Sequence, residues 1–185
     1  MARRTDTRQR MVRTAADLFH AQGYHATGLN QVLAEGGAPK GSLYFHFPGG
    51  KEQLAVEAVA LAADDLCAAL RTIFETTADP LRALEKVLTM LGERLERTDF
   101  REGCPVATVA LDASAESEPI RTACASAYDQ WQRVIADHLG GDEDAAAVVL
   151  AAIEGAVLLA RTRRDLTPLR AVGARLPALL GRTTK

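Results

Sequence analysis

Cysteine is scarce in this chain: three residues, Cys67, Cys104 and Cys124, among 185. The number is odd, the spacings are wide and no Cys-x-x-Cys pair occurs. That excludes a disulfide framework and a zinc ribbon and points to a reducing, cytoplasmic compartment. Aromatic residues make up only 5 %, while Ala and Leu abound, a mixture that favours helices over strands. A long hydrophobic run is missing too. The most apolar stretch, 145–160, is interrupted by Glu154 and is short for a bilayer span, so a soluble protein with no membrane partner is expected. The opening residues MARRTDTRQR are basic but have no apolar run behind them, so they do not read as a signal peptide. Four scattered histidines (His20, His25, His46, His138) offer no metal-ligand spacing, and no glycine loop has a P-loop or dinucleotide form. Neither metal nor cofactor is expected. Cys104 lies in a Gly-Cys-Pro segment, but no Cys/His signature surrounds it or His138. Plain packing and a redox-sensing thiol remain open for it, and no catalytic residue is assigned.

What is present is a globular balance, 48 % apolar and 25 % charged residues, with the charge unevenly placed. Residues 1–51 hold seven basic and three acidic side chains, and the remainder holds 15 basic and 21 acidic. A basic head on an acidic body turns the head towards a polyanion. Chance clustering of solvated charge would give the same count.

Helical periodicity recurs along the whole chain and no period-2 strand stands out, so the fold class expected is all-α with about nine helices. Met11, Ala15, Leu18 and Phe19 share a face of the first helix, which Thr5 or Asp6 can cap and Gly23 ends. A short helix over 29–35 is followed by Gly36-Gly37-Ala38, then by a second short helix opened by Pro39 and reaching about Phe47. Pro48-Gly49-Gly50 breaks the chain. A long helix from Lys51 to about Glu75 spans roughly 37 Å. Further helices are expected from Asp79-Pro80 (with Leu81, Leu84, Leu88, Leu91 and Leu95 as its stripe), from Val106, from Glu118-Pro119, after the cap Asp142, and from Thr167.

The segment TGLNQVLAEGGAPKGSLYFHFPGGK, Thr27 to Lys51, carries the functional signal. Two short helices joined by a glycine-containing turn make a helix-turn-helix, whose second helix enters the major groove of DNA. Lys40 supplies charge, Gly41 a close backbone approach and Ser42 a hydroxyl. Tyr44 and His46 can reach phosphates, and Lys51 at the start of the long helix can hold another. Thr27 joins this set, and Arg3 and Arg4, ahead of the first helix, can form an arm towards the minor groove. Leu43, Phe45 and Phe47 are assigned to the core side, supported by Val32 and Leu33.

The run G-A-P-K-G-S-L-Y-F-H-F-P-G-G-K-E, preceded by F-x-x-x-G-Y at Phe19 to Tyr24, resembles the DNA-binding domain of the TetR family. Pro39 and Gly50 stand where polar capping residues are common. With G-C-P-V-A-T at Gly103 to Thr108 and S-E-P-I-R at Ser117 to Arg121, the chain is similar to the LmrA/YxaF-type subgroup. The resemblance implies a DNA-binding domain over 1–50 and a helical ligand-binding and dimerisation domain over 51–185. It implies a transcriptional regulator rather than an enzyme: a homodimeric repressor on a palindromic double-stranded operator, relieved by a small hydrophobic or aromatic effector. The last two helices are the dimer candidates, with Ala147, Ala151 and Gly155 on one stripe, Val148, Ala152, Ala156 and Leu159 beside it, and Leu169, Val172, Leu176 and Leu179 opposite. Ligand-wall candidates are Leu66, Leu70, Leu88, Met90, Phe100, Cys104, Val109, Cys124, Tyr128 and Trp131. A tryptophan on an apolar face serves equally as core.

Overall fold

The computed structural model describes residues 2–39 and 41–181, with side chains from residue 6 onward. The described residues form nine helices and no strand: α1 (Ala2–Gln22), α2 (Leu29–Glu35), α3 (Ser42–His46), α4 (Gly50–Glu75), α5 (Pro80–Arg97), α6 (Pro105–Ala113), α7 (Glu118–His138), α8 (Glu143–Arg163) and α9 (Thr167–Leu179). The all-α expectation holds. Helix starts follow local chemistry where a cap exists. The Asp79 carboxylate accepts from the Arg82 N–H at 2.8 Å, and the Asp142 carboxylate accepts from the Ala145 N–H at 2.9 Å. Each such cap contributes about 1 kcal/mol.

Two boundaries differ from expectation. The first helix starts at Ala2, ahead of Thr5 and Asp6, so Arg3 and Arg4 belong to its first turn rather than to an arm preceding it. Their side chains lie outside the described ones. Pro39 does not open α3; the helix begins at Ser42. The helix expected after the cap Asp142 is found as α8, and its 21 residues are by length and composition alone sufficient to cross a membrane.

The chain divides into two compact units, with one boundary inside α4. The first contains Met1–Asp65 and Pro105–Tyr128. Its core is built from Met11, Ala15 and Phe19 of α1, Val32 of α2, Leu43 of α3, Phe47, Leu54 of α4, Val106 and Val109 of α6 and Ile120 of α7, all at most 1 % exposed. Here α1 packs on α2 and α6. Gly23 ends α1 with φ of +87°, where a Cβ would stand 3.0 Å from the Asp112 carboxylate. That carboxylate accepts the His25 N–H at 2.7 Å. Gly23→Ala should therefore destabilise the protein by about 1–3 kcal/mol, since a left-handed non-glycine residue is strained and Asp112 must move. A urea titration with an unchanged midpoint would show that neither constraint matters.

The second unit contains Leu66–Cys104 and Asp129–Lys185. In it α9 packs on α8 and α5, and α5 on α8. The α5 stripe buries Leu84, Leu88 and Leu95 together with Val87, and each such side chain contributes roughly 1.5–3 kcal/mol. Trp131, at 1 % exposure, is the largest fully buried side chain.

Candidate DNA interface

The turn between α2 and α3 is made by backbone hydrogen bonds that glycine permits. The Ala38 N–H donates to the Leu33 carbonyl at 2.9 Å, and the Gly37 N–H to the Ala34 carbonyl at 3.3 Å. This is the Schellman pattern, which needs a left-handed residue between them; Gly37 supplies it with φ of +61°. A Cβ on Gly36 would stand 2.9 Å from the Val32 carbonyl oxygen, so a larger residue there would force the turn apart. At the entrance to α3, the Ser42 hydroxyl donates to the Pro39 carbonyl at 2.7 Å, so its proton is used within the turn.

Leu43 and Phe47, four residues apart, are 1 % and 0 % exposed and pin α3 to the core. The Arg8 guanidinium lies 5.1 Å from the centre of the Phe47 ring and pairs with Glu57 at 2.6 Å. The outer face of α3 carries Tyr44 and Phe45, 66 % and 60 % exposed. Phe45 was expected in the core and is instead on the surface, edge-on to the half-buried His46 ring with centroids 5.0 Å apart. After α3, Gly50 turns with φ of +63°. No polar residue caps α4 there; instead the Gln53 side chain folds back to accept the Gly49 N–H at 3.0 Å.

The structure places the other expected DNA contacts unevenly. Gly41 is exposed, with nothing within 4 Å of an added Cβ, so nothing in the chain itself requires glycine there. Thr27 does not face outward. It is fully buried, its hydroxyl donating to the Gly23 carbonyl at 2.7 Å and accepting from Gln22 at 3.2 Å, so it ties the α1–α2 turn. Lys51 is half-buried. Its ammonium donates to the His25 carbonyl at 3.4 Å and stands 4.4 Å from the centre of the Tyr24 ring, and burial pulls its pKa below the usual lysine range. It clamps the start of α4 to the α1–α2 turn. Lys40 lies outside the described residues. The basic character of the head is also spent internally in part: Arg8 pairs with Glu57, Arg10 with Asp6 and Arg13 with Asp65.

The ligand-wall candidates do not fall in one unit. Val109, Cys124 and Tyr128 belong to the first, and Leu66, Leu70, Leu88, Met90, Phe100, Cys104 and Trp131 to the second. Leu88 lines a groove of about 540 Å³ between α5 and α9, with Gly92, Leu169 and Gly173. Cys104 is buried and is a hydrogen-bond partner of Glu154, whose carboxyl burial pushes above the ordinary carboxylate range. All three cysteines are buried free thiols.

Residues 12–58 match the family described as bacterial regulatory proteins of the tetR family, and residues 80–175 match the LmrA/YxaF-like C-terminal domain of transcriptional regulators. Among curated proteins, the chain is similar to the HTH-type transcriptional regulator LmrA of Bacillus subtilis, with 42 % identity covering 96 % of this chain and 98 % of that one. It is also similar to the HTH-type transcriptional regulator YxaF of the same organism, with 37 % identity over 97 % and 98 %. Among solved structures, it shares its fold with the TetR family regulator CifR, solved with 26-bp double-strand operator DNA. There the TM-score is 0.75, the identity 22 %, and 94 % of each chain is covered.

Proposed function

The chain belongs to the TetR family of DNA-binding transcriptional regulators, and from that premise we propose that it is a cytoplasmic repressor acting as a homodimer on a palindromic operator and released by a small apolar or aromatic effector. The observation that carries the DNA-binding part is the outer face of α3. A helix held by Leu43 and Phe47 turns Tyr44 and Phe45 outward, with His46 half-buried beside them, in the arrangement that enters a major groove. Gly41, exposed and sterically unneeded by the fold, leaves room for close backbone approach to a phosphate. A groove reader this small covers few base pairs, and two-fold symmetry doubles them.

Tyr44→Phe removes one exposed hydroxyl and should weaken operator binding by roughly 1–3 kcal/mol with no change in melting temperature. Lys40→Ala should do the same and also lower the slope of log affinity against log salt by about one. Titrations over several salt concentrations on a duplex selected from random DNA measure both. Equal affinity of both variants and wild type would remove α3 from the interface. Deleting residues 1–4 tests Arg3 and Arg4 in the same assay; an unchanged salt slope would exclude them.

Self-association is supported by α8. Ala146, Val149, Ile153, Val157 and Ala160 face the core, yet Val148, Leu158 and Leu159 on its other side are 45–54 % exposed, as is Leu179 of α9 at 50 %. An apolar face of that extent calls for a partner. A second copy of the chain meets it symmetrically, whereas a bilayer would have to accommodate a helix whose other face is already packed in the protein. Ala156, Leu169 and Leu176 are buried within the chain itself, which leaves the remaining candidates for the proposed interface.

Effector relief is supported by the match of residues 80–175 to the C-terminal domain of LmrA/YxaF-like regulators. An effector releases DNA only by binding the released form more tightly than the DNA-bound form. Aromatic compounds should then lower the apparent operator affinity in a concentration-dependent way. A panel that leaves binding unchanged at every concentration would favour a permanent repressor.

A further inference from the structure

We propose that Phe45 is a specificity residue that reads the 5-methyl group of thymine in the major groove. The inference rests on the DNA-binding reading above. Residues in a helix are separated by about 100°. With Leu43 and Phe47 fixing the inward direction, Tyr44 and Phe45 share the outward face of α3. Tyr44 carries a hydroxyl that can reach a phosphate. Phe45 carries neither charge nor donor, so it has nothing to offer a phosphate oxygen. It stands 60 % exposed on the outer face of the helix.

Inside an intact duplex the bases are stacked and closed to a ring seeking to intercalate without distortion. The one apolar feature on base edges in the major groove is the thymine methyl, and phenylalanine is among the side chains that contact it. The His46 ring stands edge-on to Phe45 at 5.0 Å with an interplanar angle of 82°. A phenyl ring on the outer face beside a hydroxyl-bearing neighbour is suited to reading one position while Tyr44 holds the backbone.

The test uses the full chain and duplexes it enriches from a random pool. Thymines in the enriched sequence are replaced by uracil, which lacks only the methyl group, one symmetric pair at a time. At one position in each half-site, wild-type binding should weaken by about fourfold per half-site, the factor that removal of one buried carbon predicts. In Phe45→Ala the same replacement should cost nothing further, while Phe45→Leu should retain part of the uracil penalty. Circular dichroism checks that both variants stay folded, as an exposed position requires. Uracil replacement that leaves wild-type affinity unchanged, or that costs Phe45→Ala as much as wild type, overturns the assignment. If no duplex is enriched at all, the DNA-binding reading itself fails and takes this inference with it.

Discussion

Gly155→Trp should yield a folded protein that no longer dimerises and binds its operator at least about a hundredfold more weakly. Nothing lies within 4 Å of a Cβ built on Gly155, so a single chain accommodates the larger side chain. Glycine is also a poor helix former, and its replacement within α8 adds no backbone cost. Two copies meeting along Ala147, Ala151 and Gly155 have no such room, because small residues set how closely the helices approach. In the proposed homodimer, loss of the interface separates the two half-site readers, and the linkage they confer amounts to roughly 10²–10⁴ in affinity. Sedimentation measures the assembly, and circular dichroism measures the helix content. Leu111→Glu, at a site 81 % exposed on α6, serves as the control and should leave the assembly intact. A Gly155→Trp protein that remains dimeric with wild-type affinity would move the interface off this stripe.

Trp131→Ala should destabilise the second unit by about 3–5 kcal/mol, the usual cost of truncating a large buried aromatic. That is a large part of the roughly 5–15 kcal/mol that holds a typical domain together. At about 2–4 °C per kcal/mol for a chain of this size, the melting temperature should fall by roughly 6–20 °C. The indole is 1 % exposed, which ranks its packing role ahead of any role as a ligand wall. Trp131→Phe keeps most of the apolar volume and should recover much of the loss. A thermal melt of Trp131→Ala that overlays the wild type would mean that the indole borders empty space, which would favour its role as a ligand wall.

The helices were legible because their signals are local. Asp79 before Pro80 and Asp142 before the apolar run announce their caps within three residues of the N–H groups they satisfy. Gly36-Gly37 announces the turn because Gly37 is left-handed there. Phe45 was misread for a physical reason. Leu43, Phe45 and Phe47 alternate at i and i+2, which is a strand's rhythm. In a helix the shared face belongs to i and i+4, so Leu43 and Phe47 go inward and Phe45 goes out. The burial of Thr27 was not legible, because a threonine near a turn looks the same in sequence whether its hydroxyl meets water, a phosphate or the Gly23 carbonyl.

Sequence by itself determined the elements, the caps at Asp79 and Asp142 and the helix-turn-helix, since each rests on propensities and hydrogen bonds spanning about four residues. Tertiary structure alone decided which charges remain available to DNA. Arg8 and Glu57 are 49 residues apart, and Arg13 and Asp65 are 52 apart. Lys51 likewise reaches the His25 carbonyl across 26 residues. A count of basic residues in the head includes all of these as free cations. Ion pairing depends on distances of a few ångströms in space, and those distances are set only once the helices have packed.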